Sequence, residues 1–149
     1  MGEDLRNTAY CGLYCGDCIP SDETLFEAVE KLGKKLSELP LSRYAQVKAR
    51  QNPVFEDYPT FVGVLDEMRK LRCKAPCREG GGHTECPVRS CAKAKGFLGC
   101  WECQKRGACE LLAPLKDFHG EVISRNLEVI REYGPDDWSV KRGKHYPWE

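Results

Sequence analysis

No apolar run in this chain approaches the ~18 residues that a membrane-spanning helix needs, so we expect no span. The opening MGEDLRNTAY lacks a basic stretch followed by an apolar one, and we expect no export signal. Position 6 is Arg6 rather than the Ser or Thr that would follow a myristoylated Gly2. The G-x-G-x-x-G, Walker, G-x-S-x-G and H-E-x-x-H patterns are all missing. The run Gly80-Gly81-Gly82-His83 lacks the strand and helix that a phosphate loop requires. Only three histidines occur, none at ligand spacing from another. Net charge at pH 7 is zero. Large aliphatic residues are sparse and the mean hydropathy is −0.55. A core of that size in 149 residues gains from crosslinks or metals. These absences leave a single domain over 1–149, expected in the cytoplasm, where thiols stay reduced and structural disulfides are rare.

What the chain has is cysteine. Seven of its ten cysteines lie between Cys73 and Cys109, and the other three, Cys11, Cys15 and Cys18, form one C-x3-C-x2-C run. Short gaps among glycines and polar turns let several thiolates converge, which a tetrahedral zinc or an iron–sulfur cluster demands. Cys15/Cys18 and Cys100/Cys103 have the two-residue gap of a zinc knuckle. The C-x3-C-x2-C spacing is shared with radical S-adenosylmethionine enzymes. Those build most of a barrel around their cluster, which takes roughly 200 residues, and no strand–helix alternation follows here. His83 sits beside three glycines in a basic loop and reads as solvated. His119 has no Ser or acidic partner placed to make it catalytic. Trp101 reads as packing against its knuckle.

From Arg69 to Arg106 ten Lys or Arg face three Glu, an excess of seven positive charges. A nucleic-acid face is one reading. The simpler one is that cations compensate thiolate sites, since zinc with four thiolates carries a net charge of minus two. We therefore expect little nucleic-acid binding, and leave a protein partner open.

The rest reads as helical. Ser21 or Asp22 caps a helix with Leu25, Val29, Leu32, Leu36 and Leu39 inward, up to Pro40. A short helix follows from Ser42 to Arg50, with Tyr44 and Val47 or Lys48 on one side. A third starts at Pro59, with Phe61 or Val62, Leu65, Met68 and Leu71 inward. Cys86 to Lys95 suggests a short helix, and Glu110 to Leu115 a start broken at Pro114. Asp117 to Tyr133 suggests a long helix with Phe118, Val122, Ile123, Leu127 and Ile130 as its core stripe. Residues 1–10 read as a lead-in, and the tail from Asp136 as irregular, with Trp138 docked on the core. The expected fold is mainly α: a small helical bundle with an irregular cysteine-rich lobe, 73–109, packed with the 11–18 motif.

The segments YCGLYCGDC, CPVRSCAKAKG, CWECQKRGACELL and NLEVIREYGPDDW occur in an order that resembles domain-of-unknown-function 3795. That resemblance implies a small cytoplasmic prokaryotic protein that binds zinc and has no established biochemical role. Carried over to this chain, it implies metal ligation by Cys11, Cys15, Cys18, Cys86, Cys91, Cys100, Cys103 and Cys109. The wider Cys73-x3-Cys77 departs from the family pattern, making Cys73 and Cys77 the expected spares. The functional expectation is a structural zinc protein. An iron–sulfur electron carrier is the second reading and a metal- or thiol-dependent enzyme the third.

Overall fold

In a computed structural model, which describes residues 2–149, the chain is mainly α-helical. Seven α-helices follow one another among the described residues: α1 Glu3–Asn7, α2 Glu23–Glu38, α3 Leu41–Lys48, α4 Tyr58–Lys70, α5 Pro87–Ala94, α6 Ala113–His119 and α7 Val122–Tyr133. Among the described residues the only β pairing is an isolated antiparallel bridge between Thr8 and Tyr14. No helix among the described residues is long and apolar enough to cross a membrane. The chain forms two compact units, Met1–Ser21 with Cys73–Glu149, and Asp22–Arg72.

The Asp22–Arg72 unit holds α2, α3 and α4. Asp22 caps α2 by accepting from the Leu25 N–H at 3.0 Å, which satisfies one of the orphan donors of the first turn. The inward face of α2 is Phe26, Val29 and Gly33; of the stripe expected from the sequence Val29 is buried, Leu25 and Leu36 are half-buried, and Leu32 and Leu39 are exposed. Gly33 explains the shift in phase. With no side chain there, the guanidinium of Arg69 on α4 lies over the α2 backbone, while pairing with Asp66 at 2.8 Å. In α3 the small Ala45 turns inward, and the expected Tyr44 and Val47 are exposed. On α4, Leu65 is buried as expected, whereas Phe61 and Leu71 are exposed.

The other unit carries the larger core. Trp138, Leu112, Ile123, Ile130 and Val122 are its most completely buried apolar side chains. Trp138 docks as its size and single polar handle require: its indole N–H donates to Thr8 Oγ1 at 2.8 Å, and Thr8 donates onward to the Asp4 carbonyl at 2.6 Å. The expected helix over 117–133 is two helices. Pro114 sits in the first turn of α6, and Gly120, at φ +61°, breaks the chain between α6 and α7. Phe118 falls on the wrong side of that break and is 68% exposed, unlike the other four residues of the expected stripe. Residues 3–7, read as a lead-in, form α1.

The Gly12 turn shows how the N-terminal motif is seated on α7. Gly12 has φ +92°, and a Cβ there would stand 2.9 Å from Leu127 Cδ2. Its carbonyl accepts from the buried Asn126 amide at 2.9 Å. A side chain at position 12 would be excluded twice, by backbone conformation and by the close approach of α7.

Candidate functional site

All ten cysteines belong to the unit that contains α1, α5, α6 and α7, and all ten are unpaired thiols. Cys11 is buried and Cys18 exposed; the rest are half-buried. The two C-x-x-C pairs adopt the same backbone. Cys15–Asp17 and Cys100–Glu102 are single 3₁₀ turns, closed by the N–H of Cys18 to the Cys15 carbonyl at 3.2 Å and of Cys103 to the Cys100 carbonyl at 3.1 Å. Cys18 and Cys103 then leave their turns with nearly equal dihedrals, φ −84° and ψ 115° against φ −81° and ψ 125°. A two-residue gap on a 3₁₀ turn brings both sulfurs to one side, as a knuckle requires.

Backbone hydrogen bonds bring the distant cysteines to these turns. The Cys73 N–H donates to the Pro20 carbonyl at 2.7 Å, and the Cys100 N–H to the Tyr10 carbonyl at 2.8 Å. The triple-glycine run is a folded turn here. The Gly82 N–H donates to Cys73 Sγ at 3.3 Å, and a side chain on Gly81 would run into the Ala75 carbonyl.

Two arginines hold this loop together. Arg89, 8% exposed on α5, donates to four carbonyls: Cys77 and Gly81 from Nη1 at 3.1 and 2.8 Å, His83 and Thr84 from Nη2 at 2.9 and 2.7 Å. Arg78 donates from Nε to the carbonyls of Leu5 and Thr8 at 2.6 and 2.7 Å and from Nη2 to Leu98 at 2.7 Å, over the ring of Tyr10. The rigid fork of a guanidinium suits it to gathering several acceptors. Neither arginine has a carboxylate partner among the described residues. Burial lowers the Arg78 pKa, and among the groups that oppose this are the thiols of Cys77 and Cys15. By contrast, Arg142 is paired conventionally, to the nearly buried Asp17 at 2.6 and 2.7 Å, above the ring of Tyr14.

The thiols perturb one another in groups. Burial raises the Cys15 pKa; the Cys77 N–H pulls it back, and the neighbouring thiols of Cys77, Cys18 and Cys73 push it up again. Cys18 is raised by burial and by Cys73, against a hydrogen bond with Ser21. Cys100 is pushed up to about 12 by burial, with Cys109, Cys103, Cys91 and Cys86 adding to it. Cys11 is also pushed up to about 12 by burial, opposed by the Leu13 N–H, with Cys77, Cys100 and Cys86 as its sulfur neighbours. Lys95 lies beside Cys91, with Cys103 and Cys109 further off, and these raise its pKa. Such thiols are protonated at neutral pH unless a cation displaces the proton. Among the described residues, no group of three or more Cys, His, Asp or Glu stands in a geometry that could hold a metal ion.

A family model, described as protein of unknown function DUF3795, matches residues 7–114. The chain belongs to the DUF3795 family. No curated protein and no solved structure matches it. The DUF3795 match takes in all ten cysteines and both arginines, while α7 and Trp138, which form the floor under the motif, lie beyond it. His83 is exposed on its loop, and its carbonyl, not its ring, is engaged by Arg89. Sequence reasoning missed Arg78, Arg89 and the Asp17–Arg142 pair. Their only signal was position: Asp17 inside C-x-x-C, Arg89 inside CPVRSC, and Arg78 directly after Cys77.

Proposed function

We propose that this DUF3795 chain is a metal-binding protein in which cysteine thiolates hold zinc in a structural role. The observation that carries the reading is charge: Arg78 is half-buried and Arg89 buried, both donate to main-chain carbonyls with no carboxylate partner among the described residues, and the thiols of Cys77 and Cys15 lie near Arg78. A buried cation needs compensating negative charge. A divalent ion bound by four thiolates supplies it, with a net charge of minus two, and lowers thiol pKa values that burial has raised. The donor chemistry fits zinc, a borderline-soft ion that takes sulfur readily. The side chains as placed do not converge on a point, so ligation requires the thiols to turn inward. What zinc would supply is folding free energy for a lobe that has few large apolar residues of its own.

The all-sulfur donor set also suits an iron–sulfur cluster, which keeps an electron-transfer role as the second reading. Purification without oxygen, followed by elemental analysis and visible absorbance, separates the two. Colourless protein with stoichiometric zinc is the expected result. Brown protein with iron and acid-labile sulfide would replace zinc with the cluster, and protein with neither metal would overturn the proposal.

A further inference from the structure

We infer that the cleft between α7 and the C-terminal tail binds a small phosphate monoester, a role independent of the metal reading above. The cleft has a volume of about 490 Å³. That lies in the range of small-ligand sites and leaves space for an organic body beyond the phosphate. Every residue that lines it falls in the Cys73–Glu149 segment of one compact unit.

The tail forms one wall by alternation. Trp138 and Tyr146 are buried at either end of the stretch, and Arg142 fastens its middle to Asp17 at 2.6 and 2.7 Å. After the Ser139–Lys141 turn the backbone is extended at Arg142, with φ −68° and ψ 135°. Side chains of an extended chain point to alternate sides. Arg142 and Tyr146 turn toward the protein, while Lys141, Gly143 and His145 line the cleft. Gly143 lets the imidazole of His145 fold back on the main chain, because a side chain there would run into the ring. The opposite wall is α7, where Ser124 and Glu128 lie one turn apart with Arg125 beside them.

Charge decides the class of ligand. Arg125 has no carboxylate partner among the described residues, and its Nη1 stands 3.4 Å from both ring nitrogens of His145, committed to neither. Lys141 has no carboxylate partner there either; its Nζ lies 5.9 Å from the centre of the Tyr133 ring. Glu128 is the one carboxylate among the lining residues, and Arg106 at 3.0 Å and Arg131 at 3.4 Å already engage it. The cleft thus offers one unpaired cation from each wall, an imidazole and the Ser124 hydroxyl. A concave site lined by one sign of charge concentrates ions of the other. The guanidinium fork matches phosphate oxygens, and the ammonium adds a point charge. A long polyanion would fit badly, since exposed Glu121, Glu128 and Glu132 lie on or beside the same helix and Asp136 and Asp137 follow it.

An NMR titration of the full chain in chloride buffer, with phenyl phosphate, inorganic phosphate and succinate as probes, tests the site. Phenyl phosphate is expected to give saturable shifts at Arg125, Lys141 and His145, and to bind more tightly than inorganic phosphate or succinate. Arg125→Gln and Lys141→Gln change exposed side chains, and each should weaken phenyl phosphate binding by about tenfold or more. Three results would each overturn the proposal: no saturable response to phenyl phosphate, an affinity unchanged in both variants, or succinate bound as tightly as phenyl phosphate.

Discussion

Arg89 is the residue on which the lobe's backbone depends. One side chain satisfies four carbonyls of the 77–84 segment, and its removal takes the side-chain donor from all four. Each hydrogen bond to a charged group contributes about 1.5–3 kcal/mol, and the four are not additive because they share one guanidinium. Arg89→Met is therefore expected to destabilise by at least about 3 kcal/mol, read as a lowered denaturant midpoint. Arg89→Lys should recover little, because an ammonium cannot fork to carbonyls on two sides. Full recovery with lysine would mean that charge alone matters at this position. His119 gives a second test at this scale. Its ring packs against Phe118, Tyr146 and Trp148, with a buried Nδ1 that has no partner, and burial lowers its pKa from 6.5. A lowered folded pKa means that the unfolded chain binds the proton first. The contribution of neutral His119 is therefore present above about pH 6.5 and is lost as pH falls through the lowered value. An NMR titration should place the imidazole midpoint below that of a free histidine, and a midpoint at or above it would contradict the burial.

At the scale of the elements, what the sequence reveals depends on whether the determining contacts are local. The C-x-x-C turns were legible because two intervening residues and a 3₁₀ hydrogen bond decide their shape. The existence of α2, α4, α5 and α7 was legible from periodicity and caps. Their facing was less so. The leucine stripe of α2 is regular, yet Gly33 allows Arg69 to lie against the helix and sets the buried side on Phe26 and Val29. The α6–α7 break was hidden because apolar spacing continues across Gly120, and only the backbone at φ +61° shows the interruption. Arg78 and Arg89 were illegible for a different reason. Their partners are main-chain carbonyls brought together by the fold, which carry no sequence signature. The Gly12 turn is the element whose failure is most easily provoked. Gly12→Ala places a side chain at φ +92° and against Leu127, at a cost of about 1–2 kcal/mol for the conformation alone. A lowered melting temperature is expected, and an unchanged one would show that α7 yields to the intruding methyl.

At the scale of the whole molecule, the proposed zinc gives the two units unequal sources of stability. The Asp22–Arg72 unit is held by its own helix packing, around Phe26, Val29, Ala45 and Leu65, and contains no cysteine. The other unit has an apolar floor under α7 and Trp138, but its loops from Tyr10 to Cys18 and from Cys73 to Cys109 contain little besides turns, one short helix and thiols. Structural zinc in small peptides contributes on the order of 10–16 kcal/mol of apparent folding free energy, far more than the caps and ion pairs seen here. Hydrogen exchange of the full chain, before and after metal removal by a chelator under reducing conditions, tests this most directly. Protection is expected to collapse in residues 8–18 and 73–109 while α2, α3 and α4 keep theirs. Equal protection of both cysteine segments with and without chelator would contradict it.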